Sequence, residues 1–290
     1  MKTFLCSIIL LLTCLSAPLG ASPVSVNGDW LAEHLHDENL VLVDMSTDST
    51  QYQRFHLPGA AYLPYAALVQ KNRKGVSLRV SDQRLVEILG FFGITPDKHV
   101  VVYDDMGGLD AGRLFWELER IGHQQVSVLD GGLVKWILEG RKVDNKPVHP
   151  KKTLYKESAT GKNNEANTTE VKSAIDEGKV VLDVRTKEEY IGDKRNKRSG
   201  HIPGAKLWPW TQAVDFEDGF VAHDDATLLA SLKAVGVTPE IPVIVYCQSG
   251  HRASPVYYTL RRLGFEKVSL YDGSMAEWSS DATLPLITGK

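Results

Sequence analysis

Cysteine is almost missing from this chain, which has three in 290 residues, at positions 6, 14 and 247. Long apolar runs are missing too once the first twenty residues are passed, so no later segment is long enough for a membrane span. The formal net charge is only −3, with acids and bases interspersed, and gives no footprint for nucleic acid or a membrane surface. There is no glycine-rich nucleotide loop and no His/Cys cluster with metal-ligand spacing, so neither a metal site nor a cofactor is expected. What remains is a globular chain long enough for two ordinary domains.

The first residues read as a secretory leader. Lys2 supplies a positive start, Phe4 to Leu15 is nearly unbroken apolar sequence, and Gly20-Ala21-Ser22 offers small residues for cleavage after Ala21. Residues 1–21 are therefore expected to be a signal peptide, with an uncleaved anchor as the alternative. The mature protein is expected to be periplasmic or secreted, with no stable membrane association. Cleavage would remove Cys6 and Cys14 and leave Cys247 without an internal disulfide partner.

Cys247 closes the apolar run Val243-Ile244-Val245-Tyr246 and opens Cys247-Gln248-Ser249-Gly250-His251-Arg252, after which Ala253 to Leu263 has a helical pattern. At a strand–loop–helix turn, backbone N–H groups and the helix N-terminus converge on one point, which favours an anionic thiolate there. The competing reading is a buried cysteine acting as a small hydrophobe. That reading leaves the polar, glycine-bearing loop without a reason.

The same punctuation occurs twice along the chain. Leu40 to Asp44, His56-Leu57-Pro58-Gly59-Ala60, Val100 to Asp104, a helical stretch ending near Gly122, and Asp130-Gly131-Gly132 with Trp136 make up the first copy. The second has Val180 to Asp183, His201-Ile202-Pro203-Gly204-Ala205, Val243 to Cys247, a helix ending at Gly264, and Asp272-Gly273-Ser274 with Trp278. Tyr103 to Asp130 spans 27 positions and Tyr246 to Asp272 spans 26, and both Asp-to-Trp spacings are 6. This implies a duplicated domain. Short β-branched runs alternate with helical patterns such as Leu85-Val86-Ile88-Leu89 and Leu228-Leu229-Leu232-Val235. An α/β fold is expected, with two tandem domains, each a mainly parallel sheet with helices on both faces. Ligand sites in such sheets gather beyond the carboxyl ends of the strands, where Cys247 falls. The boundaries read as 22–145 for the first domain, 146–166 for a linker rich in Lys, Asn, Thr and Pro, and 167–290 for the second. Thr168 or Thr169 is the expected cap of a helix carrying Val171, Ala174 and Ile175.

Together, the repeated His-x-Pro-Gly-Ala, the strand-ending Cys247 loop and Asp-Gly-x-x-x-x-Trp resemble the rhodaneses in their two-domain thiosulfate sulfurtransferase form, over nearly the whole mature chain. The resemblance implies tandem rhodanese-like domains of which the second is catalytic and the first, with Asp104 in the place of Cys247, an inactive duplicate. It implies sulfane-sulfur transfer. The Cys247 thiolate would take the outer sulfur of a small-molecule donor as a persulfide, and cyanide or a thiol acceptor would then remove it. Gly250 would let the loop aim its N–H groups inward. Gln248 and Ser249 would donate to the donor's oxygens, with plain solvation as their alternative. His251 and Arg252 would add positive charge.

Arg185, in Asp183-Val184-Arg185, matches the family's Asp-x-Arg pattern; it would either bind substrate or pair with Glu188 or Glu189. Asp183, His56, His201, Trp136 and Trp278 read as structural. Two departures bear on the donor. Glu189 stands where mammalian-like relatives carry a second arginine, and the loop matches neither their thiosulfate nor their mercaptopyruvate pattern. Thiosulfate is the expected donor because His251-Arg252 resembles bacterial thiosulfate loops, and mercaptopyruvate is the alternative. A Cys-x5-Arg phosphatase would need arginine at Ala253, one place after Arg252. A non-catalytic sulfur-binding module would not need Cys247 to be retained.

Overall fold

Two runs of consecutive β-branched residues, Val100-Val101-Val102 and Val243-Ile244-Val245, become the central strands of two parallel sheets, because both faces of each run can be buried. The computed structural model describes residues 22–156, 161–193, 195 and 198–289; the expected leader lies outside them. The first domain runs β1 (Ser25–Val26), α1 (Gly28–His34), β2 (Leu40–Asp44), α2 (Ser49–Arg54), β3 (Ala61–Tyr62), β4 (Val69–Lys71), β5 (Ser77–Arg79), α3 (Asp82–Phe91), β6 (His99–Tyr103), α4 (Ala111–Arg120), β7 (Val126–Leu129) and α5 (Gly132–Leu138). The second runs α6 (Thr168–Ser173), β8 (Val180–Asp183), α7 (Lys187–Ile191), β9 (Lys206–Leu207), β10 (Val214–Asp215), β11 (Val221–Ala222), α8 (Asp225–Ala234), β12 (Val243–Tyr246), α9 (Ala253–Arg262), β13 (Val268–Leu270) and α10 (Ser274–Trp278).

The sheets have strand orders β1-β7-β6-β2-β3 and β13-β12-β8-β9, and every pairing within them is parallel. Alternation along the central strands explains the two helical layers. Val100 and Val102 pack with Leu85, Ile88 and Leu114 of α3 and α4, while Val101 and Tyr103 pack with Leu31 of α1 and Trp136 of α5. In the second domain, Val243 and Val245 meet Leu228, Leu232 and Val256 of α8 and α9, while Ile244 and Tyr246 meet Val171 of α6 and Trp278 of α10. The expected α/β architecture with helices on both faces is present twice.

α4 packs on α9, so one core runs through both domains. Gly112 lies so close to Pro255 that a Cβ there would sit 2.7 Å from the Pro255 nitrogen. Each domain also lays a hairpin over the other. Arg79 of β5 donates its N–H to Asp272 (2.5 Å), and Ala222 of β11 donates its N–H to Asp130 (2.8 Å).

Some local expectations change. The cap of α6 is Asn167, whose side chain accepts from the N–H groups of Thr169 and Glu170 while Glu170 returns a bond to the Asn167 N–H. A full capping box outweighs a threonine cap one residue later; at its other end α6 stops at Ser173, short of Ile175, which is exposed. The linker segment is also partly structural. Leu270 donates to Asn164 and accepts from Ala166, which adds an edge beside β13. The two turn histidines are structural, as expected. His56 Nδ1 meets the Tyr52 carbonyl and His201 Nδ1 meets the Tyr190 carbonyl, at 2.7 and 2.8 Å, each ring stacked on that tyrosine.

Candidate active site

A tyrosine fixes the end of each central strand. The Tyr246 hydroxyl donates to Asp183 Oδ2 (2.7 Å) and accepts from the Ile202 N–H (3.3 Å). Tyr103 does the same with Asp44 and Leu57, at 2.5 and 2.9 Å. Beyond these anchors come Asp104 in one domain and Cys247 in the other, both buried.

The two loops treat those residues in instructively different ways. The Asp104 carboxylate accepts four backbone N–H bonds from its own loop: Met106 and Gly108 at 2.9 Å on Oδ1, and Asp110 and Ala111 at 2.8 and 2.9 Å on Oδ2. Burial pushes the Asp104 carboxyl up to about 6, against the pull of those N–H groups. In the second domain, the N–H groups of Gln248, Ser249, His251, Arg252 and Ala253 have no acceptor among the described residues. The duplicate is plugged by its own anion. The Cys247 loop offers a similar ring of donors to an anion on or next to sulfur.

Three residues shape that ring. Ser274 Oγ accepts from the N–H groups of both Cys247 and Gly250 (3.1 Å each) and donates to the Tyr271 carbonyl (2.7 Å). Ser274 has φ +49, the value of its counterpart Gly132, so a left-handed non-glycine residue is held there by those bonds. Gly250 has φ +76 and lies against Asp272. Asp272 in turn takes Arg113 Nη1 and Nη2 at 2.5 and 3.3 Å. Arg113 is fully buried and belongs to the first domain.

Gln248 is exposed and Ser249 half-buried; Gln248 borders a cleft of about 380 Å³ with Arg185, Glu188, Glu189 and Arg198. Arg252 does not stand free beside Cys247. It forms a bidentate pair with Glu189 at 2.6 and 2.8 Å, which holds the Glu189 carboxyl below its ordinary range. Arg185 pairs with neither Glu188 nor Glu189. Its guanidinium bonds Asp183 (2.7 Å) and the Gly200 carbonyl (2.7 Å), because the turn after β8 folds it back on its own strand end. His251 reaches across the interface. Its Nε2 is hydrogen-bonded to the Asp110 carboxylate, and its ring stacks on Tyr65 at 4.0 Å.

The first domain thus supplies Tyr65, Arg79, Asp110 and Arg113 to the surroundings of Cys247, and none was singled out from sequence for that place. Ser274 alone had a readable sign: it replaces Gly132 within an otherwise matched Asp-Gly motif. A wider cleft of about 450 Å³ is lined by first-domain residues such as Leu40 and Phe92 together with Lys151 of the linker segment, and includes no residue of the Cys247 loop.

A family model described as the rhodanese-like domain matches residues 27–139 and again 167–281. The chain is 30% identical over 283 residues to a thiosulfate sulfurtransferase of Azotobacter vinelandii, covering 93% of this chain and 97% of that one. It is 31% identical to a thiosulfate sulfurtransferase of Pseudomonas aeruginosa, over 91% of this chain and 97% of that one. Among solved structures, the anaerobic ergothioneine biosynthesis enzyme of Chlorobium limicola shares the fold, with a TM-score of 0.83 at 21% identity over 92% of this chain and 71% of that one. With two matched domains and full-length relatives of this kind, the chain belongs to the rhodanese family of sulfurtransferases.

Proposed function

We propose that this sulfurtransferase uses thiosulfate as donor and carries sulfane sulfur as a persulfide on Cys247. The observation behind this is the contrast between the loops: a carboxylate fills the donor ring after β6, and a buried thiol with unpaired N–H groups around it occupies the matching place after β12. The Cys247 thiolate attacks the outer sulfur of thiosulfate. The S–S bond of the donor breaks, sulfite leaves with the bonding pair, and the transferred sulfur remains on Cys247 as an anion facing the N–H groups. A thiol or cyanide then removes it and regenerates the thiolate. The names of the Azotobacter and Pseudomonas relatives support thiosulfate.

One observation favours mercaptopyruvate as a second reading. The Arg252 charge is spent on Glu189, so the loop lacks a free cation for a dianion. Steady-state rates with each donor at fixed cyanide decide between them. The proposal requires a higher kcat/KM for thiosulfate and no turnover of aryl phosphates; the reverse donor order would replace thiosulfate by mercaptopyruvate. The leader-like N-terminus supports export, and protein recovered from its native host should begin near Ser22, whereas a start at Met1 would speak for an anchor.

A further inference from the structure

We infer that His251, oriented by Asp110 of the first domain, is the base that takes the proton from a thiol acceptor when sulfur leaves Cys247. The inference rests on the persulfide reading above and adds a residue and a step to it. Asp110 is a carboxylate and His251 Nε2 faces it, so Nε2 carries the hydrogen and the lone pair of the neutral ring is on Nδ1. Nδ1 has no partner among the described residues. The Tyr65 ring, 4.0 Å away at 30°, restrains the imidazole from its face. One third of the His251 side chain is exposed while that of Asp110 is 9% exposed, so the orienting group is more deeply buried than the imidazole it holds.

Histidines used only as clamps look different in this protein. His56 and His201 are buried, and their Nδ1 atoms are occupied by backbone carbonyls. His251 has the opposite arrangement, four residues after Cys247 in the same loop. A base held by a buried carboxylate beside a nucleophile is a recurrent means of activating S–H and O–H groups.

The step balances without an oxidant. The acceptor S–H bond breaks and its proton goes to Nδ1. A new S–S bond joins the acceptor sulfur to the outer persulfide sulfur, the bond from that sulfur to Cys247 Sγ breaks, and Cys247 leaves as thiolate. The imidazolium then returns its proton to water. Asp110 touches no reacting atom and is a positioning residue. It also explains what a domain without a nucleophile contributes to catalysis.

The test separates the two half-reactions. Wild type, His251→Asn and Asp110→Asn are loaded with thiosulfate, freed of excess and checked for one added sulfur by intact mass. The persulfide is then discharged in a single turnover by dithiothreitol, which must lose a proton, or by sulfite at mildly alkaline pH, which has none to lose. Each of the three should reach one added sulfur, whatever the rate of loading. Discharge to dithiothreitol should slow about 10²-fold in both variants while discharge to sulfite changes by less than about threefold, and Asp110→Glu should recover part of the thiol rate. The sulfite rate also reports that each variant's site is folded. Equal slowing with both acceptors, or unimpaired thiol discharge, would overturn the inference alone. Failure of wild type to load would sink the persulfide reading, and this inference with it.

Discussion

Replacing Gly250 by alanine tests the donor ring without touching the nucleophile. At φ +76, a side chain on this residue costs about 1–2 kcal/mol in backbone strain. Its Cβ would also overlap Asp272 Oδ1 and lie 2.9 Å from the Asp272 carbonyl oxygen and 3.3 Å from Arg113 Nη1. Asp272 cannot easily retreat, because Arg113 and the Arg79 N–H hold its carboxylate in a buried place. The loop has to yield instead, breaking the bond from the Gly250 N–H to Ser274 Oγ and leaving a buried donor unpaired, at about 1–3 kcal/mol. The sum is about 2–5 kcal/mol of lost stability. Gly264→Ala is the matched control: φ is +85 and nothing lies within 4 Å of the new Cβ, so only the backbone cost of about 1–2 kcal/mol applies. Urea unfolding measures both variants, and sulfur transfer measures the ring. Gly250→Ala should lose about 10²-fold or more in kcat, comparable to removal of an oxyanion-hole donor, while Gly264→Ala stays active. Equal destabilisation of the two variants, with transfer intact in both, would refute this account of the loop.

Three further outcomes are expected. The double variant Asp104→Cys with Cys247→Ser should acquire no persulfide at residue 104, because β10 and β11 cover that loop, with Val214 Cγ1 2.8 Å from where a Gly107 Cβ would be; intact mass after thiosulfate decides it. Glu189→Gln keeps the cap of α7 but frees the Arg252 charge. It should lower KM about two- to fivefold for the dianion thiosulfate and less for mercaptopyruvate, with the gap closing as salt rises in donor titrations. Burial, followed by the nearby His123, lowers His99 from the ordinary 6.5 to about 4. As pH falls through that window the unfolded chain binds a proton that the folded one refuses, so stability drops, and His99→Gln should show a shallower fall in urea titrations between these limits.

The sheets and the position of Cys247 were legible because they follow from local pattern. Continuous β-branched runs between helical periods specify buried parallel strands, and a polar loop after such a run places its first residue at a carboxyl end. The partners of the loop were not legible. His251 meets Asp110 at a separation of 141 positions, and Asp272 meets Arg113 at 159; both contacts arise only when α4 docks on α9. Short-range ambiguity had a different cause. Arg185 has carboxylates at Asp183, Glu188 and Glu189 within reach along the chain. Backbone direction after β8 selects Asp183, while Glu189 points from α7 to Arg252. Asp104 shows the value of comparing copies: the sequence marks it as the counterpart of Cys247, and the structure shows its carboxylate filling the ring of N–H donors in its own loop.

The most direct test of the account is the mass of the intact protein after incubation with thiosulfate, for wild type and Cys247→Ser. Cys247 is the one free cysteine among the described residues, and serine is nearly its isostere. Wild type should gain one sulfur atom, lose it on addition of cyanide, and yield thiocyanate in equal amount, while the serine variant stays folded and unmodified. Turnover by the serine variant, or a wild type that transfers sulfur without ever carrying it, would contradict a Cys247 persulfide.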